Sequence, residues 1–331
     1  MNSKLFECYG ISGHENCIRN YIINEIKEYC VNISVDTIGN LYAQKIGASD
    51  KKLTIVAYMD EPGIIVTDIT EDGYIKFDII GRLKPEFLVS KQVLICDYPG
   101  IISLKAIHLT TKKERETPVK TTDLFIDIGA KSKKEVLEKI DIGDYGKICS
   151  KTVEFGEAFI KGGALAGRWG CDTIINFIKN NTACNLDIIF TTQREICSRG
   201  LSVAVQNITT DTVVLLDAVP AKMWEECTLP VSGNGAVIVK HNKNGEITHD
   251  MIEKIRRISE DNKLNIQFYS GELDGPDSAI KKTGKNISSV ILSIPVKYID
   301  SPSQVCSAND IKSAQKLLSA FIKDYAKECF S

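Results

Sequence analysis

Residues 53–63 read Leu53-Thr54-Ile55-Val56-Ala57-Tyr58-Met59-Asp60-Glu61-Pro62-Gly63, and this stretch decides the fold. Its first six residues form a short apolar run between charged neighbours, which is typical of a strand buried on both faces of a sheet. Polar residues follow directly where that strand ends, and α/β proteins place their functional sites at such ends. The stretch therefore predicts a central strand of an α/β domain with a site at its carboxyl end.

The pattern changes at about residue 64 and changes back at about residue 155. Between these points, short alternating segments separated by Gly, Pro and Asp turns predict a small β-barrel or sandwich. Afterwards apolar strands alternate with helices; we predict strands at 186–192, 212–217, 236–239 and 288–294, and helices at 249–261 and 308–327. The predicted fold is an α/β domain of residues 1–62 and 156–331, with a central mixed sheet flanked by helices, interrupted by a β-barrel domain of residues 63–155.

The composition excludes several classes of protein. Lys plus Arg is 41 and Asp plus Glu is 43, so the chain lacks the basic excess of nucleic-acid-binding proteins. No apolar run approaches about 18 residues, and the first residues lack an apolar signal core. We therefore expect a cytoplasmic protein with no membrane partner. The eleven cysteines include no C-x-x-C pair, so we expect buried thiols rather than zinc ligands or disulfides.

Short motifs recur along the chain in a fixed order: Gly10-Ile11-Ser12-Gly13-His14-Glu15, Asp36-Thr37-Ile38-Gly39-Asn40-Leu41, Ala57-Tyr58-Met59-Asp60-Glu61-Pro62-Gly63, Asp123-Leu124-Phe125-Ile126-Asp127-Ile128-Gly129-Ala130, Thr192-Gln193-Arg194-Glu195, Leu216-Asp217, Asp277-Ser278-Ala279 and Ile294-Pro295-Val296-Lys297-Tyr298-Ile299-Asp300-Ser301-Pro302. Over essentially its full length the chain resembles the dinuclear-metal aminopeptidases that include the tetrahedral (TET) and glutamyl aminopeptidases, some of them labelled endoglucanases. The resemblance implies a cytosolic peptide hydrolase that carries two Zn or Co ions.

The chain departs from the family pattern at the residues that would bind those ions. By the resemblance, Tyr58 and Asp300 each stand where the family has a histidine ligand, and Ala166 stands where it has a bridging aspartate. Arg194 occupies the position of the general base. Two ligand positions are retained, as Glu195 and Asp217.

These departures remove what the family's reaction requires. A methyl group at Ala166 cannot bridge two cations, and a tyrosine hydroxyl is a poor replacement for neutral imidazole. A guanidinium cannot accept a proton at neutral pH, so Arg194 cannot act as a general base. We therefore expect no cofactor, and we assign no catalytic residue. The alternative is one Mg²⁺ or Mn²⁺ held by Glu195, Asp217 and Asp300, with help from Tyr58.

Charge neutralisation suggests what replaced the metal ions. Three converging carboxylates without cations would be costly, and a guanidinium fork matches carboxylates well. We expect Arg194, helped by Arg168, to form a network with them, and Asp277 to lie near the same pocket. Asp60 matches the family's carboxylate that orients the missing histidine.

The sequence thus favours a non-catalytic relative, namely a peptide-binding, assembly or regulatory subunit. The alternative is an active metal-dependent aminopeptidase with a rebuilt one-metal site, and a scaffold without pocket function is a third reading. The expected partners are short peptides and other chains, in a homo-oligomer or together with an active paralogue; by the resemblance, the inserted domain mediates assembly. A nucleophilic role for Cys197 lacks a histidine with a motif-based reason to pair with it.

Overall fold

The computed structural model describes residues 3–180, 183–224, 228–243, 245–271 and 275–327. Its strands are β1 (Val31–Val35), β2 (Leu41–Lys45), β3 (Ser49–Tyr58), β4 (Gly63–Ile69), β5 (Ile75–Ile80), β6 (Gln92–Ile95), β7 (Tyr98–Leu104), β8 (Leu124–Asp127), β9 (Tyr145–Ile148), β10 (Val153–Phe155), β11 (Phe159–Gly162), β12 (Cys184–Thr191), β13 (Thr212–Pro220), β14 (Ala236–Asn242), β15 (Gly245–Glu246), β16 (Ile266–Ser270), β17 (Ser288–Val296) and β18 (Gln304–Ser307). Its α-helices are α1 (Ser3–Glu7), α2 (Asn16–Ile26), α3 (Lys112–Glu116), α4 (Lys133–Leu137), α5 (Leu165–Asn180), α6 (Arg199–Ala204), α7 (His249–Asp261), α8 (Ser278–Lys281) and α9 (Ala308–Lys327). Short 3₁₀ turns cover Pro85–Phe87, Ile107–Leu109, Thr121–Asp123 and Val205–Asn207.

A large mixed sheet forms the centre of the α/β part. Its strand order is β1-β2-β12-β3-β13-β17-β14-β15, and β16 pairs with β14. The four central strands β12, β3, β13 and β17 run parallel to one another, whereas β2 pairs antiparallel with β12 and β14 pairs antiparallel with β17. Parallel strands bring their carboxyl ends to one edge of a sheet, so the polar residues that follow β3, β12 and β13 meet there.

Helices cover both faces of this sheet. Alternate residues of a strand point to opposite faces of the sheet, so the side chains of β3 enter two different cores. Leu53, Ile55 and Ala57 enter a core with helices α2, α5, α7 and α9. Val56 enters a second core, to which α6 and α8 contribute. Burial on both faces is what the apolar run of residues 53–58 predicted.

The insertion is a closed barrel with its own core. Its strand order is β4-β5-β8-β7-β6-β9, and its interior is filled by apolar residues of those strands and of α4. The predicted class, a helix-flanked mixed sheet with an inserted barrel, is therefore confirmed. The barrel strands run from Gly63 to Ile148; the domain division at residues 62/63 and 155/156 stays a prediction.

The later helices begin and end where the sequence predicted, at residues 249–261 and 308–327. The prediction of buried thiols holds only in part. Cys171, Cys184 and Cys306 are buried, and further thiols are half-buried (Cys8, Cys30 and Cys149) or exposed (Cys17, Cys96 and Cys197). Cys227 and Cys329 lie outside the described residues. Over the described ranges, no helix is both long enough and apolar enough to cross a membrane.

Candidate functional site

The site lies at the carboxyl edge of the central sheet. Tyr58 is the last residue of β3 and pairs in register with Thr191, the last residue of β12. Asp217 lies near the end of β13, in register with Ser293 of β17. Sheet pairing thus places the chain segments that carry Tyr58, Asp217 and the loop after Thr191 side by side, although they are distant in the sequence.

A cleft opens at this edge, and its volume, including the part open to solvent, is about 880 Å³. Six residues that the sequence predicted for the site line it: Tyr58, Ala166, Arg194, Glu195, Asp217 and Asp300. Arg82 and Leu83 of the segment after β5 also line the cleft, so the barrel forms part of its wall. The lining also includes the apolar side chains of Val219, Val239 and Ile291 and the ring of Tyr269. The cleft therefore offers both charged groups and an apolar surface.

Arg194 and Asp217 form an ion pair inside the cleft. Arg194 Nη2 donates to Asp217 Oδ2 at 3.2 Å, and the two side chains are 13% and 9% exposed. The Arg194 guanidinium carbon also lies 5.6 Å from the centre of the Tyr58 ring, within the range of a cation–π contact. Burial is the largest single effect and disfavours the charge of Arg194, but Asp217, Tyr58 and Glu195 together outweigh it and hold the pKa of Arg194 above its ordinary value. Arg194 is therefore a permanent cation directed at a carboxylate, and the predicted Arg–carboxylate pairing is present.

Glu195 is the most strongly perturbed carboxyl group of the cleft. Burial, reinforced by the nearby Asp60 carboxylate, raises the pKa of Glu195 from 4.5 to about 7. Arg194 and Arg82 lower it, but by less than burial raises it. The backbone N–H of Glu195 donates to Asp60 Oδ2 at 3.0 Å, which fixes the loop after β12 against the loop after β3. Asp60 itself is buried, and burial raises its pKa.

Tyr58 closes the floor of the cleft and is 7% exposed. Burial, followed by the negative charge of Asp217, raises the pKa of its hydroxyl well above the ordinary value, so the phenol stays neutral. Its ring packs against Gly167, where a Cβ atom would lie 2.4 Å from Tyr58 Cε2. Ala166 is held by its backbone, whose N–H donates to Gln304 Oε1 at 2.9 Å. Tyr58 and Ala166 thus line the same cleft.

Two sequence predictions need correction. Arg168 does not join the cleft: it is fully buried, its Nη2 donates to Glu61 Oε1 at 2.9 Å, and its Nη1 donates to backbone carbonyls of residues 5, 6 and 8. Asp277 lies behind the wall rather than in it, because its Oδ1 accepts from Asn242 Nδ2 at 2.7 Å and its Oδ2 pairs with Lys281. Asn242 lines the cleft in its place. Trp169, beside Arg168, is fully buried in the helix-covered core.

Sequence reasoning missed several lining residues. Arg82 is the second cation of the cleft wall, and Ser293 is a buried hydroxyl beside Asp217 without a hydrogen-bond partner in the described structure. A signal for Ser293 existed, because a polar residue interrupts the apolar run of β17 at the level of Asp217. No signal pointed to Arg82, which follows an ordinary strand of the barrel. Asp300, which was predicted, lines the cleft, and its backbone carbonyl accepts from the N–H of Lys84 at 3.2 Å.

The raised pKa of Glu195 predicts a pH dependence of stability. The folded protein holds this proton more tightly than the unfolded chain, so the stabilisation is fully present below pH 4.5 and is lost as the pH rises through about 7. Glu195→Gln should therefore match the wild type near pH 4.5 and exceed its free energy of unfolding by about 2 kcal/mol at pH 8. Urea unfolding of both proteins across this pH range, with a chelator present, measures the difference. Parallel stability curves for the two proteins would contradict the prediction.

Comparison with known proteins gives a consistent picture. The sequence model of the M42 glutamyl aminopeptidases matches residues 39–317. A putative aminopeptidase of Acetivibrio thermocellus is 33% identical over 314 residues, which cover 93% of each chain. The TET1 peptidase of Pyrococcus horikoshii, described as assembling into a tetrahedron or a large octahedral shell, superposes with a TM-score of 0.87 at 27% identity, covering 96% of this chain and 97% of that one. A TET aminopeptidase from a marine-sediment thaumarchaeon shares the fold, with a TM-score of 0.91 at 22% identity, covering 98% and 97%.

The family match overturns one expectation. We expected no cofactor, and that expectation is wrong: the matching model is that of the M42 glutamyl aminopeptidases, which depend on two metal ions, so metal cofactors are what the match indicates. The residues in the cleft do not fit that dinuclear centre. In the ranges that the structure describes, no three His, Cys, Asp or Glu side chains are grouped so as to hold a metal ion. Among the residues that line the cleft, the neutral phenol of Tyr58, the methyl group of Ala166 and the guanidinium of Arg194 supply none of the imidazole or carboxylate ligands that such a centre needs. We therefore derive no chemical step through a metal ion.

Proposed function

The chain belongs to the M42 glutamyl aminopeptidase family, and we propose that within it this protein is a non-catalytic member that holds the amino-terminal part of peptides in its cleft. Such a protein would act as a peptide-binding, assembly or regulatory subunit. The proposal rests on one observation, the ion pair between Arg194 and Asp217 in the cleft.

The ion pair bears on hydrolysis in two ways. Peptide hydrolysis requires a group that removes a proton from the attacking water, and a guanidinium held in its charged form cannot do so. In addition, Arg194 engages Asp217, one of the two carboxylates that stand at retained ligand positions. Its positive charge lies where a divalent cation would be repelled. Both effects oppose the family's reaction at the same point of the cleft.

The rest of the cleft suits a peptide. Glu195 and Asp300 offer carboxylates for a ligand ammonium group, and the apolar wall of Val219, Val239 and Ile291 offers a surface for a side chain. A cleft with a large apolar wall and a few polar groups is the usual form of a small-ligand site. A peptide amino terminus that bears an apolar side chain combines both features, so this ligand class supports a binding role.

A second candidate is an active metal-dependent aminopeptidase with a rebuilt one-metal site. It is favoured by the family match and by the 33% identity to a putative aminopeptidase. Glu195, Asp217 and Asp300 line one cleft, and oxygen ligands suit a hard cation. For this function Arg194 would have to leave Asp217, and another group would have to take the proton.

Assembly forms part of the proposal. We infer a homo-oligomer, or co-assembly with an active paralogue, from the likeness to a TET1 peptidase described as forming tetrahedra and octahedral shells. Size-exclusion chromatography with light scattering tests this directly. A monomer at micromolar concentration would contradict it.

Turnover and binding measured together test the proposed function. The full chain is assayed for chromophore release from leucine anilide with Zn²⁺, Co²⁺ or Mn²⁺ added, while bound metal is measured by elemental analysis and binding of leucyl peptides by calorimetry. We expect peptide binding without turnover. Chelator-sensitive turnover with stoichiometric metal would refute the proposal in favour of the second candidate, and the absence of both binding and turnover would leave only a scaffold.

A matched variant sharpens this test. Arg194→Glu replaces the cation by the residue type that the family has at this position, and it changes the local charge by two units. The affinity of the cleft for divalent cations should therefore rise by at least about tenfold, as judged from Coulomb energies at short range. Arg82→Glu at the exposed edge is the control and should change metal affinity less. Equal changes in the two variants would show that Arg194 does not oppose the cation specifically.

A further inference from the structure

Two thiols near the amino terminus face each other. Cys8 directly follows helix α1, and Cys17 lies in the first turn of helix α2. Their Sγ atoms are 3.1 Å apart, close enough for an S–H···S hydrogen bond. Cys17 is exposed and Cys8 is half-buried.

We propose that Cys8 and Cys17 form an oxidisable dithiol site, which hydrogen peroxide closes to a disulfide. A disulfide forms without backbone rearrangement only where two side chains already point at each other, and this pair meets that condition. The proposal concerns a covalent modification and does not depend on whether the cleft is catalytic.

The exposure of the two thiols assigns their roles in the reaction. Cys17 is open to solvent, so its sulfur attacks the peroxide; the O–O bond breaks, water leaves, and Cys17 becomes a sulfenic acid. The sulfur of Cys8 then attacks the sulfur of Cys17; the S–S bond forms, the S–O bond breaks, and a second water leaves with the proton of Cys8. The two thiols lose two electrons, and one peroxide gains them.

The surroundings of Cys8 set the rate of the second step. Burial, with the contact to Cys17 next in size, raises the pKa of Cys8 to about 12, so most of this thiol is protonated at neutral pH. The charges of Arg168 and Lys147 act in the opposite direction. Because the thiolate is the attacking form, disulfide closure should accelerate as the pH rises from 7 to 9.

The crosslink would close a loop that contacts both the barrel and the α/β part of the chain. The hydroxyl of Tyr9 donates to the carbonyl of Tyr145 in the barrel at 3.2 Å. Glu15 Oε1 accepts from the N–H of Gln193 at 3.0 Å, and Gln193 precedes the arginine of the cleft. A bond between residues 8 and 17 therefore restrains the segment that supports the cleft loop, because it removes the freedom of that segment to open.

Intact-mass spectrometry of the full chain, before and after peroxide, tests the site. We expect the loss of two hydrogen atoms, a crosslinked peptide that contains Cys8 and Cys17, and reversal by dithiothreitol. Hydrogen exchange of residues 9–15 should slow at least several-fold in the oxidised protein. Cys17→Ser should abolish the crosslink; since its side chain is exposed, this variant should fold normally.

Cys96→Ser supplies the matched control, because Cys96 is also exposed but lies in the barrel. This variant should form the crosslink like the wild type. The proposal is overturned if peroxide adds oxygen atoms to Cys17 without a link to Cys8, if the crosslink joins another pair, or if Cys17→Ser still loses two hydrogen atoms. Each of these results is independent of peptide binding and turnover, so failure here and failure of the proposed function are distinguishable.

Discussion

Replacing Arg168 by alanine should lower the free energy of unfolding by about 4 kcal/mol, the largest effect that we expect from a single substitution in this chain. The side chain is fully buried, and it pairs with Glu61, which is itself almost completely buried. It also donates to the carbonyls of Leu5, Phe6 and Cys8, which would lose this donor, although the Cys8 carbonyl keeps its bond from Lys147 Nζ. Removing one member of a buried ion pair leaves the charge of the other less well compensated, and carbonyls that lose a donor add to that cost. Urea unfolding at pH 7 measures the loss.

Two controls separate this explanation from a general loss of positive charge. Arg256→Ala removes an exposed arginine that pairs with Glu253 within one helix, and it should cost less than about 0.5 kcal/mol. Adding Glu61→Gln to Arg168→Ala should recover part of the loss, although Lys147, with its Nζ 3.4 Å from Glu61 Oε1, already shares that charge. If Arg168→Ala cost no more than Arg256→Ala, the buried pair would have no structural role.

Replacing Arg194 by leucine should cost about 2–3 kcal/mol and should also change the titration of the cleft. Asp217 would lose its ion-pair partner in a cleft that also holds the Glu195 carboxyl group. We expect a smaller loss than at Arg168, because both members of this pair keep some contact with solvent. Arg194 lowers the pKa of Glu195, so that pKa should rise further in the variant. Urea unfolding and NMR titration of the Glu195 carboxyl carbon, both with a chelator present, measure the two effects.

The double variant Arg194→Leu with Asp217→Asn tests whether the cost comes from the ion pair. Asparagine keeps the shape of Asp217 without its charge, so the double variant should regain at least half of the stability lost. Additive losses would mean that Arg194 stabilises the fold by packing on Tyr58 rather than through its charge.

Much of the fold could be predicted, because the hydrophobic pattern of a segment reflects which of its faces is buried. The apolar run that ends at Tyr58 lies in the sheet centre, and the helices at 249–261 and 308–327 have the predicted bounds. The resemblance to the family placed Arg194, Glu195 and Asp217 together, and in the structure they line one cleft, on the loop after β12 and on β13, the two strands that flank β3.

The failure at Arg168 has a simple geometric cause. Ala166 and Arg168 both lie in the first turn of α5, two residues apart. Residues at that spacing point to nearly opposite sides of a helix, so Ala166 faces the cleft while Arg168 faces Glu61. Proximity in sequence had suggested a shared pocket. The start of the helix at Leu165 was the missing information.

Because Arg82 and Leu83 form part of its wall, the cleft is built by the barrel as well as by the α/β part of the chain. The barrel begins just after β3. The hydrogen bond from the Lys84 N–H to the Asp300 carbonyl connects it to the cleft. Sequence changes confined to the barrel can therefore alter which ligands fit, while the central sheet and its hydrogen bonds stay unchanged. Ligand selectivity and the central sheet thus depend on different segments of one chain, and the sequences of these segments can change independently.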